Sequence, residues 1–202
     1  MNRSTLWIVS AVLLSGCAAL PSPQVEAPNI YVLEARPADR AIHTGGTLVL
    51  AVSAPRARAG FDTTRIAYVR QPHELDFFAK SRWADTPSRM LAPLLVQALE
   101  QRGGFRAVVQ APTAVAADLR LDTEFVRLQQ DFSVHPSRAD VSLRAQLVDL
   151  RSKRVIAAKE FAESENAPGE DAYGGVIAAN RALQRLLARL ADFCAGRAGG
   201  RD

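Results

Sequence analysis

Apolar and polar positions alternate with a period of two through much of the second half of the chain. Leu119, Leu121 and Phe125 are interleaved with Arg120, Asp122 and Glu124, and Val141, Leu143, Ala145 and Leu147 with Ser142, Arg144 and Gln146. That pattern buries one face of a strand and wets the other, as antiparallel strands do. It predicts strands over 118–125 and 141–147. A turn at 150–153 leads into a third strand over 154–163, and 105–110 reads as a shorter strand ahead of them.

The first half is more broken. Tyr31-Val32-Leu33 opens the folded part as a short strand, and 47–53 (TLVLAVS) follows the turn signal Gly45-Gly46. Residues 65–70 and 74–78 read as a hairpin around Gln71-Pro72-His73. Helical spacing appears twice. Met90, Leu91, Leu94, Leu95, Ala98 and Leu99 recur at three- and four-residue intervals. Asp85 or Thr86 can cap this helix, Pro87 sits in its first turn where a missing N–H costs nothing, and Gly103-Gly104 stops it. The second helix spans roughly 172–194, with Val176, Ile177, Ala179, Leu183, Leu186, Leu187, Leu190 and Phe193 as its apolar row. Together these elements predict an α+β fold, a mostly antiparallel sheet with two main helices packed on one face.

The N-terminus carries a different kind of signal. One charge, Arg3, precedes a nearly unbroken apolar run over 6–14, the length of a signal-peptide core and too short to span a bilayer. It ends in Leu14-Ser15-Gly16-Cys17. A thiol nucleophile able to take up a diacylglyceryl group, small residues that lie extended in a peptidase cleft, and an upstream leucine for an apolar pocket make this a lipobox. The expectation is cleavage after residue 16 and lipidation of Cys17. Two or three acyl chains, at about 0.8 kcal/mol per buried CH₂, give a durable anchor. Ala18 follows, with no early aspartate, which suits an outer-membrane address. Residues 17–28 contain Pro21, Pro23 and Pro28 and read as a tether reaching about 35 Å if stretched. The folded domain is then 29–196, with 197–202 as a flexible tail.

Composition fits one globular domain: about 186 residues remain after processing, with 48% apolar and 23% charged over the whole chain. The formal charge of +4 on 202 residues is a solubility feature and excludes a nucleic-acid footprint. Cys194, alone among leucines, reads as a small core hydrophobe, so neither a reactive thiol nor a structural disulfide is expected.

Candidate chemistry is sparse. His43, His73 and His135 lie in separate turns without metal-ligand spacing, and there is no nucleophile elbow, phosphate loop or dinucleotide fingerprint. No catalytic residue, metal or cofactor is expected. Asp122 and Glu124 share a strand face with Arg120 and read as a salt-bridged wet face, not an acid–base pair. Arg181, Arg185 and Arg189 form a stripe opposite the leucines of the last helix and read as a solvated face. The segment 68–83 is the more suggestive one: it concentrates Tyr68, Phe77, Phe78 and Trp83 in a chain that is only 6% aromatic. Two readings stay open, a core beneath the first helix, or an exposed docking hairpin in which Tyr68, Phe77, Phe78, Arg70 and Arg82 bind a partner, since aromatic residues and arginine dominate interface hot spots.

Several segments together resemble the ABC-type transport auxiliary lipoprotein family, the PqiC-like lipoproteins. They are Tyr31-Val32-Leu33, the run from Phe61 to Tyr68, Arg82-Trp83-Ala84-Asp85-Thr86-Pro87, Leu119 to Glu124, Leu143 to Leu147, Tyr173-Gly174-Gly175 and Ala178-Ala179-Asn180-Arg181. The resemblance implies a non-enzymatic lipoprotein on the periplasmic side of the outer membrane. Its implied partners are an inner-membrane ABC permease with its ATPase and a periplasmic MCE-domain protein that shuttles lipid or other apolar cargo. It leaves a homo-oligomeric ring open. The rival from another class is a lipoprotein plug or activator of an outer-membrane assembly machine or cell-wall synthase.

Overall fold

A computed structural model of the protein describes residues 27–35 and 45–199. The signal peptide, Cys17, most of the tether, His43 and the last three residues of the tail lie outside the described residues. Among the described residues nine strands and two helices follow in order: β1 (Asn29–Tyr31), β2 (Val49–Val52), β3 (Arg56–Ala57), β4 (Arg65–Val69), β5 (Asp76–Trp83), α1 (Pro87–Arg102), β6 (Ala107–Gln110), β7 (Leu119–Asp131), β8 (Arg138–Asp149), β9 (Arg154–Asn166) and α2 (Ala172–Ala198). The fold is α+β, as the patterns predict, with a mixed sheet.

Strand β7 organises the sheet. On one side it pairs antiparallel with β8 along its whole length, and β8 pairs antiparallel with β9. On the other side three short segments run parallel to it end to end. Leu50 faces Leu119, Arg56 faces Glu124 and Ala67 faces Gln129. Strands β2, β3 and β4 thus act as one interrupted strand. Outside them, β6 adds to β2 in parallel, β5 to β4 antiparallel and β1 to β5 in parallel.

Both helices cover one face. The inward residues Leu119, Leu121 and Phe125 of β7 and Leu143, Ala145 and Leu147 of β8 are fully buried against Leu183, Leu186, Leu190 and Cys194 of α2 and Leu91, Leu95 and Leu99 of α1. Burial pushes the Cys194 thiol up to about 12, so it stays protonated at neutral pH. Helix α2 runs on to Ala198, past the Cys194 where the apolar row places its end, so Arg197 and Ala198 belong to the helix and not to a flexible tail. Helix α1 starts at Pro87 with Thr86 in the cap position. The Asp85 carboxylate accepts from the Thr86 N–H at 2.7 Å, while the Thr86 side chain makes no capping bond.

Glycine is required where backbone approaches backbone. Gly103 and Gly104 close α1 with φ of 70° and 92°, a conformation L side chains rarely adopt. At the other helix, a Cβ on Gly174 would sit 2.2 Å from the Gly169 carbonyl oxygen, and one on Gly175 would sit 2.1 Å from Gln130 Oε1. The N-cap Asp171 accepts from the Gly174 N–H at 2.7 Å, which fixes this tight entry.

The arginine stripe of α2 is not simply solvated. Arg185 pairs with Glu163 and with Glu165 (2.9 Å), Arg181 reaches Glu165 at 3.7 Å, and Arg189 pairs with Glu163. Arg185 and Arg189 also donate to the Ser164 and Ala162 carbonyls of β9. Among the described strands β9 pairs only with β8, which leaves its other edge without a strand. The guanidiniums therefore occupy acceptors that another strand would otherwise use.

Three of the ion-paired carboxylates give a pH prediction. Burial would raise Asp122, Asp131 and Glu163, but it is outweighed and all three lie below their ordinary values. For Asp122 the opposing causes are hydrogen bonds from Arg120 and Ser53 and the charges of Arg120 and Arg56. For Asp131 they are hydrogen bonds from Ser133 and contacts with Arg138, and for Glu163 the guanidiniums of Arg189 and Arg185. A carboxyl depressed on folding adds stability above its unfolded value, and that stability is lost as pH falls through the folded value. The melting temperature is expected to hold down to about pH 5 and to fall below about pH 4. A melting temperature that rises on acidification would contradict the assignment of these pairs.

Candidate docking site

The strand pairing decides where the aromatic residues go. Tyr68 of β4 faces Asp76 of β5, so Phe78 lies diagonally beside Tyr68 on the helix-side face. Phe132 follows β7, and its N–H donates to the Val69 carbonyl at 2.8 Å, which brings a third ring to the same place. Tyr68 and Phe78 are 4.7 Å apart between ring centroids, Tyr68 and Phe132 5.8 Å, and Phe78 and Phe132 6.2 Å. The last two contacts are edge-on, the geometry aromatic quadrupoles favour. The Arg70 guanidinium sits 5.1 Å from the Tyr68 ring.

These residues border an open groove of about 460 Å³, closed on one side by Glu170 at the entry to α2. A hydrogen bond from the Ser137 backbone N–H at 2.9 Å holds the Glu170 carboxyl below its ordinary value, with His135 nearby at 3.5 Å. The groove thus offers apolar rings flanked by a cation and an anion.

The residues singled out by sequence do not all meet. Tyr68, Phe78 and Arg70 come together; Phe77 borders the same groove, but its ring lies beneath the Arg65 guanidinium at 3.7 Å. Arg82 projects on that outer face as well. Trp83, only 3% exposed, belongs to the core, and Phe78 packs against the core margin while Tyr68 and Phe77 stay half-buried. Of the two readings left open by the sequence, the core reading holds for Trp83, and the partly exposed rings leave docking as a proposal. Phe132, Glu170 and Arg65 were not legible as members. Phe132 is a lone aromatic after a long strand, and only the parallel β4–β7 register carries it to Tyr68.

Two other places gather charged side chains or apolar surface. On the helix-free face, Arg120 holds Asp122 through bonds of 2.9 to 3.2 Å, and Arg58 lies 4.0 Å from Glu124, the salt-bridged wet face that the alternation predicts. Among the described residues no group of three or more His, Cys, Asp or Glu is gathered where it could hold a metal ion. Between the helices, Leu94, Ala98, Leu187 and Ala191 floor a groove of about 360 Å³. The arginines at its rim are engaged, Arg102 with Asp192 and Arg181 and Arg185 with the glutamates of β9.

Solved structures share this fold. A Xanthomonas campestris protein assigned to the DUF330 family superposes with a TM-score of 0.76 at 23% identity, covering 86% of this chain and 99% of that one. An uncharacterized protein gives 0.66 at 14% identity over 84% and 99% of the two chains. A hypothetical protein from Chlamydia trachomatis gives 0.51 at 12% identity, covering 74% and 96%. No curated protein matches the chain. A family model described as "ABC-type transport auxiliary lipoprotein component" matches residues 31–191.

Proposed function

The chain belongs to the ABC-type transport auxiliary lipoprotein family, and from that premise we propose that it is a non-enzymatic docking component of an ABC/MCE-type intermembrane transport system for lipids or other apolar cargo. Acyl chains on Cys17 hold it on the periplasmic side of the outer membrane, and a periplasmic MCE-domain protein is its partner. The observation that carries the reading is the family match along nearly the whole folded domain. The aromatic groove supports a docking role: half-exposed rings with an adjacent arginine are the residue types on which interfaces concentrate their energy.

Anchor and dock are tested separately. Mass spectrometry of the N-terminal peptide is expected to show an acylated Cys17, and Cys17→Ala to leave the chain unprocessed or soluble. A mature chain that begins elsewhere with a free thiol ends the anchor reading. For the dock, Tyr68→Ala is the clean probe, because Tyr68 contributes a ring to the groove while Phe78 also packs on the core. It is expected to weaken capture of the MCE-domain protein by about 2 kcal/mol or more, with a nearly unchanged thermal melt. A lowered melt with unchanged capture would make the ring structural.

A further inference from the structure

The outer face of the β4–β5 ladder sets Arg65 directly opposite Arg82. Like charges in that position repel, and among the described residues no carboxylate relieves them. Arg65 lies over the Phe77 ring, and no hydrogen bond or ion pair engages the Arg82 side chain among the described residues. Thr64 borders the concavity beneath the two guanidiniums, about 360 Å³ in volume. Two planar cations without a carboxylate partner suit the oxygens of a phosphate.

The row continues onto the edge strand. Among the described strands β1 pairs only with β5, and its Ile30 is in register with Arg82. Ile30 is 64% exposed and Val32 45%. From the other side of β1, Tyr31 stacks on Tyr173 at 6.1 Å, and Tyr173 is itself 59% exposed. The Asn180 side chain pins the segment after β1, accepting from the Glu34 N–H at 2.8 Å and donating to the Val32 carbonyl at 3.3 Å. An aliphatic residue, two tyrosines and two arginines without a carboxylate partner thus share the corner of the domain where the chain leads back towards Cys17, twelve residues before Asn29.

We propose that this corner seats phospholipid headgroups of the membrane to which the chain is tied. Arg65 and Arg82 hold phosphate oxygens while Ile30 and the tyrosine pair rest at the boundary between headgroups and acyl chains, where amphipathic aromatics settle. The inference rests on the Cys17 anchor. The tether reaches about 35 Å in a polyproline-like form, which keeps this corner close to the membrane surface. Docked this way, the domain would stand in one fixed orientation instead of swinging on its tether.

The test uses the full lipidated chain in vesicles of phosphatidylcholine with phosphatidylglycerol. A fluorophore is attached to Asn29→Cys, with Val155→Cys as the control; Cys17 is acylated and Cys194 is buried, so neither competes for the label. Iodide in the buffer is expected to quench position 29 several-fold less than position 155. Each arginine near an anionic surface strengthens binding about five-fold, so Arg65→Gln with Arg82→Gln should expose position 29, as should high salt. Equal quenching at both positions on vesicles that carry the protein overturns the proposal. So does shielding of position 29 that appears only when the MCE-domain protein is added, which would make the corner a protein interface. A chain that does not float with the vesicles defeats the anchor itself, and this inference with it.

Discussion

Truncating Leu186 to alanine is expected to cost the domain about 2–5 kcal/mol. Leu186 is fully buried in the middle of α2, in the core cluster that joins the helix to the inward faces of β7 and β8. Removing its branched end leaves a cavity that β-sheet neighbours cannot collapse into, because β8 is hydrogen-bonded on both edges. For a domain of this size the loss lowers the melting temperature by roughly 4–20 °C. Leu190, next along the same row, should behave alike. An unchanged melt for Leu186→Ala would mean that α2 does not pack on the sheet as described.

The second large effect runs against helix propensity. Gly174 lies in the first turn of α2, where replacing glycine by alanine ordinarily stabilises a helix by up to about 1 kcal/mol. Here Gly174→Ala is expected to destabilise by about 3 kcal/mol, because the added methyl meets the Gly169 backbone at 2.2 Å and backbone cannot rotate away. Gly175→Ala should cost less. Its obstacle is the Gln130 side chain, which can swing aside at the expense of its 2.9 Å bond to Ser137. Paired melts of the two variants check both the sign and the order; a more stable Gly174→Ala would refute the close approach.

Much of this architecture is legible in the residues because period-two and helical spacings report which face of an element is dry. Leu119, Leu121 and Phe125 point inward as their alternation requires, and the apolar row of α2 is the row that the sheet buries. Alternation does not report which strand lies next door. The parallel seating of β2, β3 and β4 along β7 depends on connections through α1 and β6 that carry no local signal. β5 is harder still. Its register against β4 shifts between Ala67–Phe77 and Arg65–Arg82, an irregularity that changes which residues share a face. Phe78, Ser81 and Trp83 consequently lie on the same side although 78 and 81 differ by an odd number. A reading by simple alternation stops the strand at 78 and misplaces Arg82.

The aromatic groove proposed as the docking surface was partly visible for the same reason. A concentration of aromatics in one hairpin marks Tyr68 and Phe78, but Phe132 and Glu170 arrive from elements more than fifty residues away in sequence. The arginines of α2 show the converse failure. Their spacing is plain, yet the partners Glu163 and Glu165 sit on a strand far from them in the local pattern, so nothing local announces the pairing.

The most direct measurement of the central claim is capture. The purified lipidated chain, presented on vesicles, is offered the MCE-domain protein encoded beside it, and separately an outer-membrane barrel or a cell-wall synthase. The account predicts that the MCE-domain protein is retained by the wild-type chain and released by Tyr68→Ala, with no retention of the others. Retention of a barrel or synthase while the MCE-domain protein passes through would contradict the transport reading and establish the rival one.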